Sequence, residues 1–235
     1  MPFLAYLPFG LLPSFIWLSL YLRKDDHPES KWMILKIFFY GMLATIPAAM
    51  LELGIFEEIS KLSLSENIAV IIYFFLGVAL TEEIVKYLIV RVKVLNNPEF
   101  DEPTDVMIYM IVAALGFAAL ENISILLGYR EYSSDIVFKI LLLRFVGATF
   151  LHALASGTMG YFIARSLFQT KQRGKLLLSG LIISTTLHGL YNLSIIQLDG
   201  NLKLAIPAVI LIILAIVVTW GFNDLKKLKS VCKIV

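Results

Sequence analysis

The sequence predicts an all-α integral membrane protein, a helical bundle of about seven transmembrane spans. Hydrophobic residues make up 59% of its 235 residues, and charged residues only 16%. The mean hydropathy is +0.83. A soluble domain of this length cannot bury so much apolar surface, so lipid must be the solvent for most of it. The net charge of +2, without a basic stripe carrying interleaved aromatic residues, argues against a nucleic-acid partner.

The apolar runs define the individual spans, since crossing a bilayer takes roughly 20 helical residues. They lie near residues 3–22, 33–53, 68–90, 106–128, 145–168, 176–198 and 204–222. Residues 131–144 predict an interfacial amphipathic helix that leads into the fifth span. The connections are too short for an extramembrane domain. We therefore predict one transmembrane domain over residues 1–235, with its motif-bearing core at 68–198.

The basic residues of the connections predict the orientation in the membrane. The first, third and fifth connections and the C-terminal tail hold most of them, including Arg91, Arg165 and Lys226. The alternate connections hold few, such as Lys61 and Lys203. Positively charged loops stay on the cytoplasmic side. We expect a protein of the prokaryotic cell membrane with its N-terminus outside and its C-terminus in the cytoplasm.

The third span contains three charged residues within five positions, in the stretch ALTEEIVKYLIV at 79–90. Each charge near a helix centre in lipid costs roughly 2.5–3.5 kcal/mol. Glu82 and Lys86 are four residues apart, the spacing of a helical ion pair. Glu83 points about 100° away from Glu82, so we expect it to lack that partner. A structural ion pair therefore explains only part of this stretch.

The next three spans carry further polar groups at helical spacing. They are Glu121 and Asn122 after Phe117, His152 four residues before Ser156, and His188 four residues before Asn192. A single histidine or small residue in a span usually serves helix packing. Burying the whole set on separate lipid-facing surfaces would be prohibitive, so we expect the polar groups to converge on one hydrated cavity.

These residue types suit hydrolysis by an activated water molecule. A glutamate or histidine can take a proton from water, and an asparagine can stabilise an oxyanion. We predict Glu82 as the general base, with His152 and His188 binding or polarising the water. Asn192 would stabilise the tetrahedral oxyanion. Ser156, one turn after His152, would contact that histidine only as a helper.

A metal ion is compatible with the same residues. Two histidines and a carboxylate form a zinc site with an open position for water, so His152, His188 and Glu121 are candidate ligands. Glu83 and Glu121 could also act by orienting the other groups. Lys86 would keep a neighbouring carboxylate ionised. The residues alone leave both the zinc-dependent and the metal-free mechanism open.

The ordered motifs resemble the PrsW family of intramembrane proteases, within the superfamily of CAAX-protease-like enzymes. The matching residues are Glu82-Glu83-x-x-Lys86, Phe117-x-x-x-Glu121-Asn122, His152-x-x-x-Ser156 and His188-x-x-x-Asn192. The resemblance implies a multi-pass prokaryotic peptidase that cuts a single-pass membrane protein, an anti-sigma factor in PrsW-like members. It also implies that the first glutamate and the histidines are catalytic.

Three other functions are weighed at this stage. A non-catalytic scaffold or immunity-type membrane protein would not require the glutamates and histidines at all. A CAAX-type prenyl-protein endopeptidase would carry E-E-x-x-x-R and F-x-x-x-H. Here Lys86 stands one position before that arginine, and Glu121 replaces that histidine. A proton- or ion-coupled transporter would use the glutamates and histidines as a relay. Against a transporter, the sequence shows neither an internal repeat nor a matched pair of broken spans.

Overall fold

The computed structural model describes residues 6–24 and 27–228, which form helices and short connections without a β-strand in these two ranges. The helices are α1 Tyr6–Tyr21, α2 Lys31–Ser60, α3 Glu66–Ile72, α4 Thr81–Lys93, α5 Pro103–Gly128, α6 Ser134–Val146, α7 Ala148–Phe168, α8 Arg173–Gln197 and α9 Leu202–Leu225. A π-helical segment, Tyr73–Leu80, joins α3 to α4. The beginning of the first predicted span lies outside the described residues.

Among the described residues, 6 helical stretches are long and apolar enough to cross a membrane. They are Lys31–Ser60, Glu66–Lys93, Pro103–Gly128, Ser134–Phe168, Thr170–Gln197 and Leu202–Leu225. Each contains most of one predicted span. The remaining predicted span, at 3–22, corresponds to α1, of which 16 residues are described. The predicted all-α membrane fold is confirmed.

Helix α5 lies at the centre of the bundle. Every residue from Pro103 to Ala119 is buried, with α1, α2 and α7 packed around the helix. Glycines allow α2 and α5 to approach closely. A Cβ atom at Gly41 would lie 2.1 Å from the carbonyl oxygen of Ala113, and one at Gly116 would lie 2.0 Å from that of Phe38. Small residues at such contacts are how helices pack in membranes.

Hydrogen-bonded caps define where helices α2 and α5 begin. Helix α5 has proline at its first turn and a reciprocal cap in which the Asp105 carboxylate accepts from the backbone N–H of Glu102 at 2.7 Å. Helix α2 is capped by Ser30, whose hydroxyl accepts from the backbone N–H of Met33 at 3.1 Å. Both caps lie at the end of the bundle predicted to face the cytoplasm.

Helix α6 confirms the helix predicted near 131–144, while its predicted interfacial and amphipathic character stays a prediction. None of its residues is buried, and its exposed residues include Phe138, Leu142 and Leu143. Asp135 and Lys139 are exposed on the same helix, so its outer surface is apolar with two charged residues. Only Gly147 separates the end of α6 from the start of α7, and the two helices together form one apolar stretch of 35 residues.

Candidate active site

The charged residues of the third span lie in the first turns of α4, where they are buried. Glu82 is 4% exposed, while Glu83 and Lys86 are completely buried. The Lys86 ammonium donates to Glu82 Oε2 at 2.9 Å and to Glu83 Oε1 at 3.0 Å. The prediction that Glu83 lacks this partner was wrong, because residues three apart on a helix also lie within reach of each other. One cation therefore offsets two carboxylates.

Close packing of α8 against the π-helical segment brings a histidine to these carboxylates. A Cβ atom at Gly189 would lie 2.9 Å from the ring of Phe75, so this contact requires a glycine. The preceding residue, His188, places its Nδ1 atom 3.1 Å from Glu83 Oε1. Irregular π-helical turns within α-helices occur frequently at functional sites.

Ser156 on α7 completes the surroundings of Glu83. Its hydroxyl donates to Glu83 Oε2 at 2.8 Å. The sequence had suggested that Ser156 would assist His152, but the structure turns its hydroxyl to Glu83 instead. Both oxygens of Glu83 are thus engaged, by Lys86 and His188 on one side and by Ser156 on the other. This carboxylate is held rather than available for proton transfer.

His152 lies between a cation and a carboxylate. Its Nδ1 atom is 2.9 Å from the Lys86 ammonium, and its Nε2 atom is 2.8 Å from Glu121 Oε2. Because an ammonium can only donate, Nδ1 accepts this hydrogen bond and Nε2 carries the proton that is donated to Glu121. The Glu121 carboxylate also pairs with the Arg144 guanidinium at 2.8 Å. Arg144 was not among the site residues predicted from the sequence.

The other two residues of the fourth-span motif support these groups. The Asn122 amide donates to the Thr149 hydroxyl at 3.0 Å and to the Gly10 carbonyl at 3.4 Å, and its oxygen accepts from Arg144. Asn122 therefore fixes Arg144 beside Glu121. The Phe117 ring lies 4.6 Å from the Lys86 ammonium, a cation–π contact that stabilises the buried charge.

Asn192 stands on α8 one turn after His188. Its side chain is half-buried, and it makes no hydrogen bond with any residue in the described ranges. Its amide N–H groups are therefore not engaged by the residues of the bundle. The predicted role of Asn192 at an oxyanion is not tested by this geometry and stays a prediction.

Each histidine turns the nitrogen that does not contact Glu83 or Glu121 toward Glu82, and in His152 this nitrogen also accepts from Lys86. Glu82 Oε2 lies 3.4 Å from His152 Nδ1 and 3.9 Å from His188 Nε2, and the two imidazole rings are 5.1 Å apart. Glu82, His152 and His188 each offer a ligand atom within 4.8 Å of the others. Two imidazoles and a carboxylate at this separation fit a metal ion with three protein ligands and one open position.

The orientation of the histidines strengthens this fit. Each imidazole uses its other nitrogen to bind a carboxylate, Glu121 for His152 and Glu83 for His188. Histidines that bind metals are commonly oriented by such a carboxylate. Glu121 thus lies behind His152 instead of joining Glu82 in the group of three. Its predicted role as a direct ligand stays a prediction, while the structure shows it as a partner of His152.

Glu52 on α2 is a residue of this site that the sequence analysis missed. It is half-buried and interacts electrostatically with Glu82 and Glu121. One turn before it, Ala48 packs against Phe117, which is one turn before Glu121. The signal was present in the sequence, since a glutamate in the apolar stretch AAMLELGIF carries the same insertion cost as Glu82.

Comparison with known proteins identifies the family. The chain matches the family described as PrsW family intramembrane metalloprotease over residues 29–221. It is 30% identical to Protease PrsW of Oceanobacillus iheyensis over 190 residues, 80% of this chain and 82% of that protein. It is 28% identical to Protease PrsW of Bacillus subtilis over 232 residues, 97% of each chain. It is 28% identical to Protease PrsW of Clostridioides difficile over 218 residues, 91% of this chain and 86% of that protein.

No solved structure matches the chain significantly. The matched residues nevertheless include all four motifs and every group that converges on Glu82, so sequence similarity and site geometry point to the same chemistry. The chain belongs to the PrsW family of intramembrane metalloproteases, a bacterial family of multi-span membrane enzymes.

Proposed function

We propose that the protein hydrolyses a peptide bond in a single-pass membrane protein, with a water molecule activated by Glu82, His152 and His188. The observation that carries this proposal is the meeting of these three buried side chains, from three different spans, within 4.8 Å. Anti-sigma factors are the substrate class that the family resemblance suggests. Membership of a metalloprotease family favours this function over a transporter relay, and a PrsW-type over a CAAX-type enzyme.

We further propose zinc as the metal. Zinc accepts imidazole nitrogen and carboxylate oxygen together, so Glu82, His152 and His188 would hold it. When bound, the ion would supply a Lewis acid that makes a water molecule more acidic and polarises the substrate carbonyl. Glu83 and Glu121 would keep the two imidazoles in orientation through the hydrogen bonds described above.

Glu82 is the residue we assign to proton transfer, through Oε1, because Oε2 is the oxygen that faces the two histidines. Its Oε1 atom makes no hydrogen bond within the described part of the chain, whereas both oxygens of Glu83 are engaged. Glu82 would take a proton from the water as its oxygen attacks the carbonyl carbon. The Asn192 amide would donate to the resulting oxyanion. As the C–N bond breaks, Glu82 would return the proton to the leaving amine nitrogen.

Cleavage by purified protein tests the proposal. Wild-type protein in detergent would be incubated with candidate membrane-anchored anti-sigma factors, and the fragments would be identified by mass spectrometry. Glu82→Gln should reduce cleavage by about 10²–10⁴-fold, the usual effect of losing a general base. Glu57→Gln is the matched control, since Glu57 is exposed on α2 and should be dispensable. Full activity of Glu82→Gln would refute the assignment.

Metal analysis of the same preparations tests zinc separately. We expect zinc to copurify with the wild type and a strong chelator to abolish cleavage. Glu82→Gln should also bind zinc more weakly, because the carboxylate is one of the three proposed ligands. Full activity after exhaustive chelation, without bound metal, would exclude zinc while leaving the protease assignment intact.

A further inference from the structure

Among the carboxylates of the site, Glu52 differs in having no cationic partner. Glu82 and Glu83 share the Lys86 ammonium, and Glu121 pairs with Arg144. Glu52 makes no hydrogen bond or ion pair with any residue in 6–24 or 27–228. An unpaired carboxylate within a span is costly and marks a functional position by default. A positively charged partner for Glu52 would therefore have to come from outside the described part of the bundle.

Contacts on either side of Glu52 define where it lies. One turn earlier, Ala48 packs on Phe117 of α5. One turn later, the Phe56 ring meets the Tyr73 ring of the π-helical segment at a centroid distance of 5.3 Å. Between these contacts, a Cβ atom at Gly77 would come within 3.3 Å of Ile55. Glu52 thus stands between α5 and the π-helical segment, the two elements that flank Glu82.

The exposure of the carboxylates shows which of them is nearer the surface of the bundle. Glu82 is only 4% exposed and Glu83 is completely buried, whereas Glu52 is half-buried. A substrate chain that approaches Glu82 from this side therefore passes Glu52 first. Glu82 and Glu121 are negatively charged neighbours that each act on Glu52 more strongly than the Lys86 ammonium does, so the potential at Glu52 favours a positively charged group.

A metal ion in the proposed site would not supply that positive charge. The three side chains that could hold an ion are Glu82, His152 and His188, and Glu52 is not one of them. Lys86 is completely buried and already bonded to three side chains, so it cannot turn outward. A cation that reaches Glu52 must therefore arrive with the substrate.

We propose that Glu52 binds a lysine or arginine side chain of the substrate close to the scissile bond, and that it determines specificity at that position. Both side chains have apolar stems, which can lie against the apolar residues around Glu52 while the charged ends reach its carboxylate. The contact would be a charge-assisted hydrogen bond, which is stronger than a neutral one. This inference rests on the proposed function, because it places the reacting peptide bond at Glu82.

Internally quenched decapeptides in detergent would test this specificity. In each set, one position carries lysine, glutamine or glutamate in turn, and mass spectrometry locates the cut. For wild-type protein we expect one position near the cut where lysine gives about tenfold higher kcat/KM than glutamine, the effect of one hydrogen bond to a charged group. The ratio should fall to about one in Glu52→Gln, and glutamate should become preferred in Glu52→Lys. Glu57→Gln should keep the wild-type ratio.

The possible results separate the inference from the proposed function. A lysine-to-glutamine ratio that is unchanged in Glu52→Gln would overturn the role of Glu52 while leaving the protease assignment in place. Equal cleavage of lysine and glutamine peptides by the wild type would overturn it as well. Peptides cut by neither the wild type nor Glu57→Gln would count against the proposed function and the inference together. A merely structural role for Glu52 would lower all rates without changing the ratio.

Discussion

Replacing Lys86 by methionine should reveal that this lysine and the metal ion share ligand atoms. The Lys86 ammonium binds Glu82 Oε2 and His152 Nδ1, both at 2.9 Å, and these are two of the atoms proposed to hold zinc. An imidazole nitrogen has a single lone pair, so His152 Nδ1 cannot serve both cations at once. When zinc is bound, Lys86 would keep Glu83 as its partner.

The size of the effect follows from the burial of Lys86. Removing one partner of a completely buried ion pair costs about 3–5 kcal/mol, because the remaining charges are left uncompensated. For a chain of this length, that corresponds to a decrease of roughly 6–20 °C in the unfolding temperature. The decrease should appear in chelator-treated protein, and zinc should reverse much of it, since the ion restores the lost positive charge.

Thermal unfolding in detergent, followed by tryptophan fluorescence with chelator and with added zinc, would measure this effect. Lys61→Met is the control, because the exposed Lys61–Glu58 pair should contribute little. An unchanged unfolding temperature for chelated Lys86→Met would refute the role of Lys86 as a counter-ion. If zinc stabilised wild type and Lys86→Met equally, the two cations would not share ligand atoms.

Three further outcomes are expected. Ser156→Ala should keep substantial activity, because the Ser156 hydroxyl only donates to Glu83, and mass spectra of the wild type should show no covalent acyl-enzyme. A loss of activity as large as that of Glu82→Gln would show that the serine is catalytic. Arg144→Gln should lower zinc affinity and activity about 10–100-fold, because Arg144 holds Glu121, which orients His152. Lys139→Gln on the same helix should have no such effect, and equal effects of the two substitutions would refute the role of Arg144. Reporter fusions should place residue 172 and the C-terminus in the cytoplasm and residue 62 outside; an external tail would refute the predicted orientation.

The sequence predicted the fold and most of the site because both depend on the cost of polar groups in lipid. Long apolar runs must form helices, and charged residues within them must meet one another. The predicted meeting of Glu82, Glu121, His152 and His188 is confirmed by their contacts. The same argument should have marked Glu52 and Arg144, which also interrupt apolar stretches.

Partners on other helices were harder to predict, because helical periodicity relates only residues of the same helix. From the sequence, the partners of Glu83 could be predicted only from its spacing to Glu82 and Lys86. Its hydrogen bonds to His188 and Ser156 depend on how three helices pack together. Arg144 was hidden by the assignment of its stretch to an interfacial helix. Its guanidinium turns inward at the last turn of α6, where Asn122 and Glu121 bind it.

The π-helical segment explains how one span can face lipid in its first half and the active site in its second. Helix α3 has no buried residue, whereas α4 buries Glu82, Glu83 and Lys86. Successive residues of an α-helix are rotated by about 100° around its axis. In a π-helix, which bonds residue i to residue i+5, the rotation per residue is smaller. Residues Tyr73–Leu80 therefore shift the helical phase before Thr81. Without this shift, the residues of α4 would point in other directions relative to the lipid-facing side of α3. The charged residues would then be rotated away from His152 and His188. We conclude that the irregular winding of the third span is what directs its costly charges to the interior.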